Sequence, residues 1–295
     1  MPNPLTHFLF ADDLIGAIRG ESAREIIRTA PDAFRLGALG PDYLFILREL
    51  KLADKRFATR MHTEKCVETM NALCRAKDAA GRAYALGFST HYVLDSSLHP
   101  YVFYEALNIE KNASAGEELS CFAHSLIECA VDGEFLKTHP EREKFASRSK
   151  TRRTLSRFIR DNLNPLYDEK LSARRIAFAF KTTEKLAGLT ENASGKVKIR
   201  AKRIEDLFFK SRRRFSVMIQ PPDADEKLDV LNTARRPFPS VRGGSANRVM
   251  SVGEIIVGAV KKALDFIDKV MAAFDGKYEF TLRDMPLDYE GNLIA

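Results

Sequence analysis

Residues 87–101 read Gly87-Phe-Ser-Thr-His91-Tyr-Val-Leu-Asp95-Ser-Ser-Leu-His99-Pro100-Tyr101, and the fold turns on this run being helical. His91, Asp95 and His99 stand four residues apart. In an α-helix each step of four rises about 6 Å and drifts about 40° around the axis, so the three side chains share one stripe. His91 and Asp95 can grip one ion. His91 and His99 are too far apart for a single ion but suit neighbouring ions about 3.5–4 Å apart. Imidazole nitrogen with carboxylate oxygen is a ligand set that suits Zn²⁺. Pro100 is expected to stop the helix near His99, because the residue before a proline avoids the α region.

Outward from this run the helical spacing continues. A second pair, His124-Ser-Leu-Ile-Glu128, again puts a His and a carboxylate four apart on one helical face. Two helices that each offer such a pair can converge in a bundle core to hold metal. Asp42 after Gly40-Pro41, His62 after Met61, and His7 near the start of the chain are single candidates. Apolar periodicity predicts helices over 8–18, 22–29, 43–52, 63–78, 80–99 and 115–137, with a breaker-rich loop over 37–42. Beyond 150 the pattern stays helical but turns basic. Prolines and the Gly243-Gly244 pair mark 219–247 as a loop or mobile linker. Ser251-x-x-Glu254 has the capping-box pattern and opens a last helix that Gly276 closes. The expected fold is all-α: a helical-bundle metal-binding domain over 1–140 and a basic, mainly helical region over 141–295.

Composition fits a folded soluble protein. Of 295 residues, 45% are hydrophobic and 29% charged, with no Trp, which argues against global disorder. No run of 18 apolar residues occurs, so no transmembrane helix is expected. Acidic Asp12 and Asp13 interrupt the first apolar stretch and no basic leader precedes it, so the expected location is cytoplasmic. The four cysteines, 66, 74, 121 and 129, lack CxxC spacing. Members of each pair lie about 12 Å apart along a helix, too far for a disulfide, so buried reduced thiols are expected.

Charge divides the chain. Residues 1–140 carry 15 basic and 19 acidic residues, a net −4; residues 141–295 carry 32 and 21, a net +11. All six histidines lie in the acidic part. The basic tracts 148–160 and 196–214 either bind a phosphate-rich partner, an anionic membrane surface or a nucleic acid, or are exposed helix faces whose Phe and Ile point inward. Ser96 and Ser97 lack a triad context, which disfavours nucleophilic serine chemistry.

Thr6-His7-Phe-Leu-Phe, Leu36-Gly-Ala-Leu-Gly40-Pro41-Asp42, Met61-His62-Thr63, the 87–101 run and His124-x-x-x-Glu128, in that order, resemble the bacterial zinc-dependent phospholipase C family, to which the S1/P1 nucleases are related. The resemblance covers about residues 1–140. It implies that Asp42, His62, His91 and Asp95 hold one zinc ion and that His99, His124 and Glu128 hold a second. It places His7 at a third, with Asp95 as bridge. In secreted family members the third ion also uses the mature N-terminal residue. Here Met1-Pro2 stands only a few residues before His7, so two zinc ions are expected and the third stays open.

The resemblance further implies hydrolysis of a phospholipid or similar phosphodiester by metal-activated water, with Asp42 as ligand and base. Tyr43 either lines a head-group pocket or packs. Asp132, four beyond Glu128, orients a ligand or plays no part. The alternatives are a single-strand nuclease of the S1/P1 kind and a non-catalytic, zinc-stabilised module that binds anions.

Overall fold

A computed structural model describes residues 4–54, 56–111, 122–140, 145–191, 195–208, 215–222 and 228–294. The described residues form twelve α-helices and one two-stranded ribbon, an all-α fold. The first half contains α1 (Pro4–Ala17), α2 (Glu21–Thr29), α3 (Pro31–Ala38), α4 (Tyr43–Glu49), α5 (Phe57–Thr63), α6 (Cys66–Cys74), α7 (Ala79–Lys111) and α8 (Ala123–Thr138). The second contains α9 (Ser149–Tyr167), α10 (Ala173–Thr190), α11 (Lys196–Phe208) and α12 (Val252–Phe274), with a 3₁₀ turn at Ser216–Met218. Between α11 and α12, β1 (Phe238–Pro239) pairs antiparallel with β2 (Ala246–Arg248). Part of the expected 219–247 loop is therefore ordered as a ribbon.

The axis of the molecule is α7. Its sequence is apolar nearly all round, and residues 83–95 are buried without a break, as a helix packed on every side must be. Helices α1, α2, α3, α6, α8, α9 and α12 all pack against it. One continuous hydrophobic core runs from Leu5 on α1 to Tyr289 near the C-terminus, and so crosses residue 140.

Pro100 does not stop α7, which continues to Lys111. Its missing N–H and its ring cost an exposed helix about 3 kcal/mol. Here the helix is clamped from several sides, and Pro100 is itself fully surrounded, so tertiary packing overrides the local rule. The expected helix over 63–78 is split instead. Glu64 is extended and Lys65 adopts φ +52° between α5 and α6, which lets the two helices leave the turn in different directions.

Local signals hold at α12. Ser251 accepts from the Glu254 amide while the Glu254 carboxylate accepts from the Ser251 amide. At the other end Gly276 N–H donates to Ala273 and Lys277 N–H to Ala272, the double bond that terminates helices with a left-handed residue.

One crossing positions the site. A Cβ on Gly37 would lie 2.1 Å from the Tyr84 carbonyl oxygen, and one on Gly87 would lie 1.9 Å from that of Phe34. Helices α3 and α7 thus meet backbone to backbone, which seats the turn after α3 directly on His91.

Candidate metal centre

Asp42, His62, His91 and Asp95 converge, all buried, with one potential ligand atom from each within 4.8 Å of the others. Asp42 stands at the N-cap of α4, where an aspartate usually accepts from the helix amides. It makes no such bond, and its carboxylate is turned inward instead. Oδ1 lies 2.9 Å from His62 Nε2 and 3.9 Å from His91 Nε2. His91 Nε2 is 2.9 Å from Asp95 Oδ2.

The far side of each ring sets the chemistry. His91 Nδ1 donates to the Ala38 carbonyl at 3.0 Å, and His62 Nδ1 to that of Ala58 at 2.7 Å. A carbonyl only accepts, so Nδ1 carries the proton and Nε2 presents a lone pair. Burial pulls the His91 pKa below its ordinary value, against the carboxylates of Asp95 and Asp42. A neutral Nε2 then faces a carboxylate oxygen at contact distance, acceptor against acceptor. His91 Nε2, Asp95 Oδ2 and Asp42 Oδ2 are buried without a hydrogen-bond partner. Buried charges need a partner, and a cation among these atoms supplies one. The residues fit zinc.

Gly40 makes this possible. Its φ is +52°, and a Cβ there would sit 2.1 Å from His91 Cδ2. Any side chain would displace the imidazole.

His99, His124 and Glu128 form a second group on α7 and α8. His124 Nε2 is 2.8 Å and His99 Nε2 3.5 Å from Glu128 Oε1, while Glu128 Oε2 is buried without a partner. Burial opposes the charged form of Glu128, but His124 and His99 hold it well below the ordinary carboxylate range. Burial also opposes the charged form of His99, yet Asp95 and Glu128 lift its pKa to about 9. The site is electronegative and attracts positive charge. This trio also fits zinc.

His7 adjoins both groups. Its Nε2 is 3.3 Å from Asp95 Oδ1 and 3.9 Å from Asp42 Oδ2, and its ring lies 4.0 Å from that of His91. Its Nδ1 is buried and unpartnered. Asp132 holds the start of α1 in place, since its Oδ1 accepts from both Thr6 N and Thr6 Oγ1. Burial lifts the Asp132 pKa to about 7 despite these bonds. A cavity of about 20 Å³ lies between the two groups, lined by Thr6, His7, Asp95, His99 and Glu128 with apolar Leu94, Leu98 and Val131.

Tyr43 sits elsewhere. It is buried, with its ring 4.4 Å from that of Phe180. Burial pushes its hydroxyl pKa up, only partly offset by the neighbouring Tyr84 hydroxyl. The structure shows its ring packed in the core. His139 bonds Asp13 at 2.6 Å and the Phe135 carbonyl at 2.9 Å, away from either group.

Cys66, Cys74 and Cys129 are buried thiols, and burial pushes the first two to a pKa of about 12; Cys121 lies outside the described residues. The basic second half is partly neutralised by contacts such as Arg148–Asp32 and Arg152–Glu184, while Leu155, Ile159 and Phe180 face the core. Among the described residues no helix is long and apolar enough to cross a membrane.

Three backbone carbonyls escaped the sequence reading: Ala38, Ala58 and Tyr289. The last accepts from His99 Nδ1 at 2.5 Å. Every residue contributes such a group, so no residue type could have marked them.

The chain matches the family model described as zinc dependent phospholipase C over residues 6–175. No curated protein and no solved structure matches it.

Proposed function

The chain belongs to the zinc-dependent phospholipase C family, and from that membership we propose that it is a zinc-dependent phosphodiester hydrolase acting on a phospholipid or a similar phosphodiester. One observation carries the proposal: two adjoining groups of potential ligands, Asp42–His62–His91–Asp95 and His99–His124–Glu128, keep His91 Nε2, Asp42 Oδ2, Asp95 Oδ2 and Glu128 Oε2 buried without a hydrogen-bond partner. Asp42, His62, His91 and Asp95 would hold one zinc ion and His99, His124 and Glu128 another, with His7 beside them for a third. Zinc at such positions polarises a phosphoryl oxygen and makes water nucleophilic at neutral pH.

The chain's own residues do the rest. Four protein ligands complete a tetrahedral site, whereas three leave a position open, so the trio is where a phosphoryl oxygen would bind. Asp42 sets Oδ1 2.9 Å from His62 Nε2 and keeps Oδ2 without a hydrogen-bond partner, and Oδ2 is the atom that would take the proton from the attacking water. Leu94, Leu98 and Val131 form the apolar part of the lining of the intervening space.

The test pairs zinc analysis with turnover. Purified protein should carry at least two zinc ions per chain and release a phosphorylated head group from phosphatidylcholine vesicles, and Asp42→Asn should abolish that release. Absence of zinc uptake would overturn the proposal. Zinc uptake with digestion of single-stranded DNA and no head-group release would replace it with the nuclease reading, which the net positive charge of the second half favours.

A further inference from the structure

The strap formed by residues 285–294 lies beyond the family match, which ends at residue 175, yet it reaches both ligand groups. Tyr289 enters the core on top of them. Its N–H donates to the His62 carbonyl at 3.0 Å, its carbonyl accepts from His99 Nδ1 at 2.5 Å, and its ring lies 5.7 Å from those of both His62 and His91.

The strap is fastened at several points. The Tyr92 hydroxyl on α7 donates to the Leu287 carbonyl at 2.9 Å. Asp288 and Asn292 close a tight turn through a 2.9 Å backbone bond and two side-chain bonds. Arg242 donates its N–H to the Gly291 carbonyl at 2.8 Å and pairs with Glu290, while its guanidinium stacks on Phe103 at 3.6 Å. Phe103 in turn contacts the rings of His99 and His124. Gly291 lies flat on Pro100, where a Cβ would meet Cγ at 2.7 Å.

We propose that this C-terminal strap is a positioning device for the trio: the Tyr289 carbonyl fixes the tautomer and aim of His99, so the affinity of the His99–His124–Glu128 site depends on a segment outside the family region. The inference rests on the zinc reading above. The quartet does not depend on the strap in this way, because its histidines are aimed by Ala38 and Ala58. An acceptor behind a ligating histidine typically contributes 10–100-fold in metal affinity.

The experiment uses the full chain with two substitutions. Gly291→Val forces the strap off Pro100, and Arg242→Met removes its clasp at the half-buried rim. Zinc titration of the metal-free protein should show the site that His124→Ala removes losing about 10–100-fold in Gly291→Val and a smaller factor in Arg242→Met, with the other site within about threefold of wild type. In ¹⁵N-histidine-labelled protein, the exchange-protected Nδ1–H signal of His99, assigned by its absence from His99→Gln, should be present in wild type and weakened or lost in the variants. Unchanged affinity at both sites with an intact His99 signal would overturn the proposal. Should Gly291→Val fail to fold, Arg242→Met decides. A wild type that takes up no zinc would defeat the functional proposal, while the His99 signal, readable without metal, still judges the strap.

Discussion

The quartet around Asp42 and the trio around Glu128 use the same two side-chain chemistries and share α7, yet they are supported differently. Every quartet residue is buried, and its histidines are held from behind by carbonyls of α3 and α5, elements within 53 residues of His91 and four of His62. In the trio, His124 keeps about a quarter of its side chain exposed, and His99 is held by a carbonyl 190 residues away. The quartet offers four buried candidate ligands. The trio has three candidate ligands and remote support, and on the proposed reading it is the site that would exchange ligands. Rigidity and access are thus divided between two neighbours.

Asp95 should break the comparison altogether, since it stands between the groups, 2.9 Å from His91 Nε2 and 3.9 Å from His99 Nδ1. Asp95→Asn is expected to lower zinc content to less than one ion per chain by elemental analysis. Losing one partner of a buried charge cluster should also cost about 3–5 kcal/mol in denaturant unfolding. Retention of both ions would show that the groups are independent.

Single-site variants sharpen it. His91→Ala should remove the quartet ion and lower the melting temperature, whereas His124→Ala should remove the trio ion with a smaller effect on melting. Zinc analysis beside calorimetry checks both. Equal thermal losses would contradict the division between a rigid site and an accessible one.

Gly40→Ala tests the quartet without touching a ligand. Its Cβ would strike the His91 ring, and a non-glycine residue at this positive φ costs about 1–3 kcal/mol. Quartet affinity should fall while the trio keeps its own, as read by competition with a chelating dye.

The smallest effect belongs to a control far from both groups. Burial opposes the charged form of Asp284, but Lys269, Tyr278 and Thr281 more than offset this and hold its pKa below the ordinary carboxylate range. A depressed carboxylate contributes stability above its unfolded pKa and loses it as pH falls through the folded one. The carboxylate is only 9% exposed beside a partly exposed Lys269, so Asp284→Asn should cost about 1–2 kcal/mol at neutral pH and converge on wild type in acid. Zinc content should not change.

Much of this was legible in the sequence where the signal is local. The i, i+4 spacing of His91, Asp95 and His99 and of His124 and Glu128 survives folding unchanged, because helix geometry alone places those side chains. The capping box at Ser251 and the stop at Gly276 are local in the same sense. Pro100 misled because its local penalty is small against the packing of a helix enclosed by its neighbours. Asp42, His62 and His7 come from different helices, so no spacing rule joins them, and only the resemblance to a family did. The carbonyls behind the imidazoles were invisible because they belong to the backbone.

The bond from His99 to Tyr289 also orders events in time. A growing chain has made every side chain of both groups by residue 128, but the carbonyl that aims His99, that of Tyr289, follows about 160 residues later. Closing so long a loop is entropically expensive and is repaid only once the intervening helices have packed. The quartet can therefore take shape before residue 289 has been made, whereas the trio reaches its final geometry only after it.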